Sequence, residues 1–349
     1  PANPATVSNG LGGQNSALAI SCSADAASPA SPALVALAGV SFPPDARPDG
    51  FAFDTHATAS VVTAVRLEAY LDAASHLAEA AAPLRRLAPC GDTASASECA
   101  SAFVAGFLPR AFRRAPTAAE AARYRALIDP PSAPDGPADS VDEGLRTAVE
   151  AALVSPGFLY RTELGVPAGE GVWRLSADEV AGALAFTLWG TTPDDALLAA
   201  AADGTLDTVD GVEAQARRLL ADPRARDTLG VFAAQWLGAE AVLTVDRQPS
   251  LFPDFGASLR AAMRAETQDF FTHVAFDGTG AWPELLTADY TVADAALATH
   301  YGLAAPDGPA PQIIPYALGR RSGVLGHGAV HAATAHSDQT SPIRRGLWV

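Results

Sequence analysis

The sequence predicts a mainly α-helical protein of two helical lobes, with an irregular N-terminal arm and few short strands. Three observations carry that expectation. Apolar residues recur at helical spacing through most of the chain after Thr58. Capping boxes open two of these stretches, Thr117 with Glu120 and Ser176 with Glu179. Proline or glycine punctuates most of the predicted helices where they end. At 349 residues, 49% of them hydrophobic, the chain can build one large or two medium cores.

Residues 1–40 are rich in Ala, Ser, Pro, Gly and Asn and lack periodicity, which predicts an extended low-complexity arm with a short strand at Ala17–Cys22. A proline-punctuated loop, Ser41–Asp54, leads into the first lobe, residues 41–168. Helices are predicted at Val61–Ala82, ended by Pro83, and at Cys99–Phe112, broken by Arg113–Pro116. A third helix starts on the Thr117 cap. A fourth is predicted at Val141–Leu153, ended by Ser155–Pro156.

The segment Gly165–Gly171 reads as a soft linker, so the second lobe is residues 169–349. Its first helix, Ala177–Trp189, is apolar nearly all round and is expected deep in the core. Asp194 and Asp195 follow Pro193 at the next helix start, where cap and dipole roles outweigh an acid pair. Further helices are predicted near Val209–Leu220, Pro223–Leu237 and Phe255–Phe276. The last carries the aromatic pair Phe270 and Phe271, with Glu266 and Asp269 on its polar side. A turn and a short helix fill Leu285–Leu303, with Asp289 as its cap and His300 near its C-terminus. Ile313–Tyr316 is the best strand candidate of this lobe.

The formal charge is −16, which disfavours nucleic acid and anionic membranes as partners. The basic side chains are all arginine, so lysine Schiff bases, P-loops and lysine general bases are excluded. No apolar run approaches the roughly 18 residues a membrane span needs. Cys90 and Cys99 lie nine apart across a loop that can close into a disulfide, with two free thiols as the alternative. Cys22 is then left over, free or paired outside the chain.

The motifs CxxCH, HExxH, GxSxG and paired CxxC are absent. What remains is the stretch Arg320–Val349, which holds three of the seven histidines. His327 and His331 stand four apart, the spacing two metal or haem ligands on one helix face would need, with His336 and Asp338 following. Ordinary helix-start or interface histidines are the plainer reading. Arg344 and Arg345 are candidates for an anion or a haem propionate, with a salt bridge as the default.

A series of motifs in order then points to a family. They include FRRAPTAAE at 112–120, SPGFLYRTE at 155–163, LWGTTPDDALL at 188–198, FAAQWLG at 232–238, ADYTVADAALATHYG at 288–302 and TSPIRRGLWV at 340–349. From about Ser41 to the end, the chain resembles the planctomycete-type cytochrome-c-associated secreted proteins of unknown function. The resemblance implies export to the periplasm or cell surface and several unknown-function modules in series. It implies that the family pattern fixes Gly323, Leu325, Thr340, Ser341, Pro342, Arg345 and Gly346 far better than the three histidines. In the family, the TSPxxRG helix typically continues into a CxxCH segment, so haem is expected on a partner or beyond Val349.

Two functions follow as expectations. The first is a redox-associated module that docks or shields a c-type cytochrome-like domain or partner. The alternative is a cell-surface structural or self-assembling binding module without catalysis. A hydrolase using Asp and His side chains ranks third.

Overall fold

Helix boundaries follow their local signals closely. The computed structural model describes residues 7–8, 17–18, 37, 40–43, 48, 50–53, 55–56, 61–130, 138–316, 319 and 321–348. Cys22, most of residues 1–40 and residues 131–137 lie outside the described residues. The protein is mainly α-helical, as its sequence predicts, and the described strands form three antiparallel pairs. Strands β1 (Val7–Ser8) and β2 (Ala17–Leu18) make the first pair.

The chain divides into two compact units, Pro1–Asp222 and Pro223–Val349. In the first, α1 (Ala64–Ala80) starts on the Thr63 cap. Helix α2 (Ala96–Phe112) begins earlier than periodicity alone suggests, because Ser95 and Glu98 form a capping box. It ends at Arg113, whose φ of 58° is left-handed. Helix α3 (Ala118–Ile128) opens on the Thr117–Glu120 box, and α4 (Ala138–Leu153) follows. Phe103, Leu108, Tyr124, Ile128, Leu145 and Val149 close one core between these helices. Cys90 and Cys99 are joined in a disulfide, and the Arg85 guanidinium lies 3.6 Å from the Cys99 sulfur.

The expected linker is structured. After the short helix α5 (Pro156–Leu159), β3 (Val166–Gly169) and β4 (Val172–Arg174) form an exposed hairpin inside the first unit. Helix α6 (Ala177–Trp189) then runs between its Ser176–Glu179 box and the left-handed Gly190. Its burial is shallower than expected: only Ala181, Ala185 and Trp189 are fully buried. Its Ala- and Gly-rich faces read as apolar yet need little enclosure. Asp194 caps α7 (Asp195–Ala202) through the Leu197 N–H and also pairs with Arg218 of α8 (Val209–Leu220).

In the second unit, α9 (Arg224–Trp236) packs on α10 (Ala257–Phe276). Then come α11 (Trp282–Thr287), β5 (Tyr290–Ala293), α12 (Ala295–His300), β6 (Gln312–Pro315), α13 (Gly328–Ala333) and α14 (Pro342–Trp348). Strands β5 and β6 pair from Tyr290↔Pro315 to Ala293↔Gln312. Residues 290–293 are therefore a strand where the sequence suggested a turn and helix. The helix cap is Asp294, which accepts from the Leu297 N–H, and not Asp289. Among the described residues, no helix is long and apolar enough to cross a membrane.

Candidate functional site

The second unit is built on the register of α10. Its buried residues are Met263, Glu266, Thr267, Phe270, Phe271 and Val274, at the i, i+3, i+4, i+7, i+8, i+11 spacing of a core-facing stripe. Glu266 stands in that stripe. It is 1% exposed, which overturns its expected place on the polar side. Asp269 is partly buried as well. Loss of hydration, reinforced by the Asp294 charge, pushes its carboxyl up to about 6.

The Glu266 carboxylate ties four segments together. It accepts from the Thr291 hydroxyl of β5 at 2.7 Å and from the Tyr301 phenol, just past α12, at 2.5 Å. The Gly328 N–H that opens α13 lies 3.3 Å from the same carboxylate and 2.7 Å from the Tyr301 oxygen. Burial and the carboxylate charge raise the Tyr301 pKa well above its ordinary value. Tyr301 therefore stays a phenol, donating to Glu266 while accepting from Gly328. Only glycine fits at 328: a Cβ there would meet the Tyr301 oxygen at 2.5 Å. The Arg321 guanidinium lies 3.8 Å over the Tyr301 ring and donates to the Gly326 carbonyl at 2.8 Å.

Above this floor lies a cavity of about 360 Å³. Its polar lining includes Arg247, Asp254, His300, Tyr301, Arg321 and His331, and its apolar lining includes Phe252, Phe255 and Met263. Burial and the Arg321 charge lower the His300 pKa, with Asp254 opposing. Burial and the charges of Arg345 and Arg321 lower that of His331. Both imidazoles therefore give up their proton more readily than a free histidine, whereas Arg247 and Arg321 carry permanent positive charge at the cavity. Arg247 donates to the carbonyls of Asp246 and Ala332, and neither Arg247 nor Arg321 forms an ion pair among the described residues. This arrangement can hold an anion on an apolar body.

The terminal histidines do not meet. His327 is fully buried beneath α13, with its Nδ1 3.1 Å from the Thr267 hydroxyl and its ring edge-on to Phe270. Its Nε2 is buried without a hydrogen-bond partner. Burial lowers its pKa, against the attraction of Glu266. His331 faces the cavity four residues on, so the helical pair does not converge on one metal or haem iron. Among the described residues, no group of three His, Cys, Asp or Glu side chains is placed to share a metal. His336 also borders a second depression of about 400 Å³ with Asp338 and Arg344. Arg344 donates to the Ala335 carbonyl at 3.3 Å, and the Arg345 Nε is buried without a partner. Neither forms the salt bridge expected by default, among the described residues. The residues missed from sequence are Arg247, Glu266, Thr291, Tyr301 and Arg321. The signal for Glu266 was present in the α10 register, three residues after Met263 and four before Phe270.

Three family models match the chain. They are PSD3, "Protein of unknown function (DUF1587)", over residues 35–83; PSD5, "Protein of unknown function (DUF1595)", over 99–163; and PSD4, "Protein of unknown function (DUF1592)", over 175–303. No curated protein and no solved structure matches. The chain thus carries, in series, segments similar to three modules of unknown function. The third match includes Arg247, Glu266, Thr291 and Tyr301, while Arg321, Gly328 and His331 lie beyond it.

Proposed function

We propose that the unit Pro223–Val349 is a binding module for a small organic anion with an apolar body. The single observation that carries this reading is the pair Arg247 and Arg321. In a chain of net charge −16, both guanidiniums lack a carboxylate partner among the described residues and line one apolar-walled cavity of about 360 Å³. The Glu266 network below fixes Tyr301, and Tyr301 carries Arg321, so the cationic wall is held in place before a ligand arrives. Benzoate is a suitable probe, with benzamide as its neutral counterpart. Isothermal titration calorimetry should show saturable benzoate binding, at least tenfold tighter than benzamide and lost in Arg247→Gln/Arg321→Gln. Equal binding of the two probes would sink the reading.

A second reading, docking of a c-type cytochrome-like domain or partner, rests on a different surface. Phe232 and Trp236 stack at 5.9 Å, and Trp236 meets Trp282 at 5.5 Å, all three exposed. Such an aromatic ladder suits an apolar partner face, and the chain's net charge of −16 favours a basic partner. Titration with a soluble c-type cytochrome should quench tryptophan fluorescence, and Trp236→Ala/Trp282→Ala should weaken the binding. Unchanged fluorescence removes the docking reading. The Cys90–Cys99 disulfide supports a periplasmic or cell-surface location. Self-association through Cys22 predicts a dimer in size-exclusion chromatography that reductant dissolves.

A further inference from the structure

A second cavity, of about 270 Å³, lies within the first unit, beside the left-handed end of α2 and the start of α6. Most of the charged groups around it are already satisfied. Arg113 donates to the carbonyls of Ala111, Gly157, Phe158 and Tyr160 at 2.7 to 3.2 Å. Arg114 grips both oxygens of Glu120 at 2.9 Å. Glu179 accepts from the N–H groups of Leu164, Gly165 and Ser176.

Three groups lining the cavity are left. The Arg161 guanidinium lies 4.8 Å over the Phe186 ring and makes no hydrogen bond or ion pair among the described residues. Asp178 and Glu163 line the same cavity without a side-chain hydrogen bond or ion pair there. Burial lowers the Arg161 pKa against the nearby Glu163 charge, and raises that of Asp178 against the nearby Arg114 charge. One cation and two carboxylates, none with a hydrogen-bonded partner among the described residues, thus face a volume suited to a molecule of few heavy atoms.

We propose that this cavity binds a small α-amino acid, its carboxylate on Arg161 and its ammonium toward Asp178 and Glu163. A zwitterion is the ligand class that answers both signs at once. A simple carboxylate would leave the two acids without a hydrogen-bonded cation and add one more negative charge beside them and Glu179. The site is independent of the cavity in Pro223–Val349.

Calorimetry at pH 7.5 with glycine and L-alanine, against propionate and propylamine, tests the proposal. One amino acid should bind per chain, at least tenfold more tightly than either single-charge probe. Arg161→Gln should weaken that binding at least tenfold with little change in the melting midpoint, since Arg161 makes no hydrogen bond to the fold. Asp178→Asn should remove the preference for alanine over propionate. Three results would overturn the proposal: no saturable heat from either amino acid, equal binding of propionate, or binding that survives Arg161→Gln. In the last case, loss in Arg247→Gln/Arg321→Gln would assign the heat to the other cavity.

Discussion

Replacing Glu266 with Gln tests whether one buried carboxylate holds the second unit together. Glutamine keeps the shape and removes the charge. Two hydroxyl bonds, from Thr291 at 2.7 Å and Tyr301 at 2.5 Å, become neutral or mispaired. Hydrogen bonds to a charged group contribute about 1.5–3 kcal/mol each, against about 1 kcal/mol for neutral ones. The Thr291 hydroxyl can rotate to accept from the new amide. The Tyr301 oxygen already accepts from Gly328, so it cannot answer that amide as freely. Relief of the carboxylate's desolvation works the other way. The net expectation is a loss of about 2–4 kcal/mol, or a fall in melting midpoint of roughly 6–14 °C for a unit of this size. Urea unfolding followed by tryptophan fluorescence reads the loss. A double-mutant cycle with Tyr301→Phe should show coupling of about 1 kcal/mol or more. A Glu266→Gln protein as stable as the parent, or one without coupling to Tyr301, refutes the idea that the hydroxyl cage outweighs the cost of burying the charge.

Other outcomes follow from the same packing. Cys90→Ser/Cys99→Ser removes a bridge across a short loop and should cost about 2.5–3 kcal/mol, read from the urea midpoint; an unchanged midpoint contradicts it. The folded-state pKa of Asp269, about 6, lies above the ordinary aspartate value of 3.8, so the folded state holds the proton more tightly. Its contribution to stability is therefore present at low pH and lost as pH rises through that window. Asp269→Asn should raise the melting midpoint at pH 7.5, by about 1–3 kcal/mol in free energy, and give no gain at pH 3; equal gains at both pH values would contradict this sign. Gly323 has φ 46°, and a Cβ there would overlap the Leu285 carbonyl oxygen. Gly323→Ala should cost about 3 kcal/mol or more, visible as lost soluble yield and an early thermal transition.

The regular parts of this protein were legible because their causes are local. Helix starts at Thr117 and Ser176 rest on a side chain and a backbone N–H three residues away. Helix α8 matches its expected bounds because period and caps agree over Val209–Leu220. The Cys90–Cys99 pairing needed only a loop able to close. Strand β5 was missed because a buried four-residue strand has no period of its own and exists by pairing with β6 some twenty residues later. The hairpin at 166–174 was read as a linker because Gly and Pro mark turns and linkers alike.

The candidate site divides in the same way. The terminal histidines drew attention by their spacing along the chain, yet α13 puts His327 under the core and leaves His331 at the cavity wall. Glu266 was set aside because carboxylates usually face water. Its register said otherwise, but only Thr291, Tyr301 and Gly328, brought in from 25 to 62 residues away, make a buried carboxylate tolerable. Sequence alone therefore pointed to the helical class, the Thr117 and Ser176 caps and the loop that Cys90 and Cys99 close, because each rests on groups within a few residues. Tertiary structure decided which charges lie buried and which face a cavity, because the cost of burying a charge depends on donors that chain neighbours do not supply.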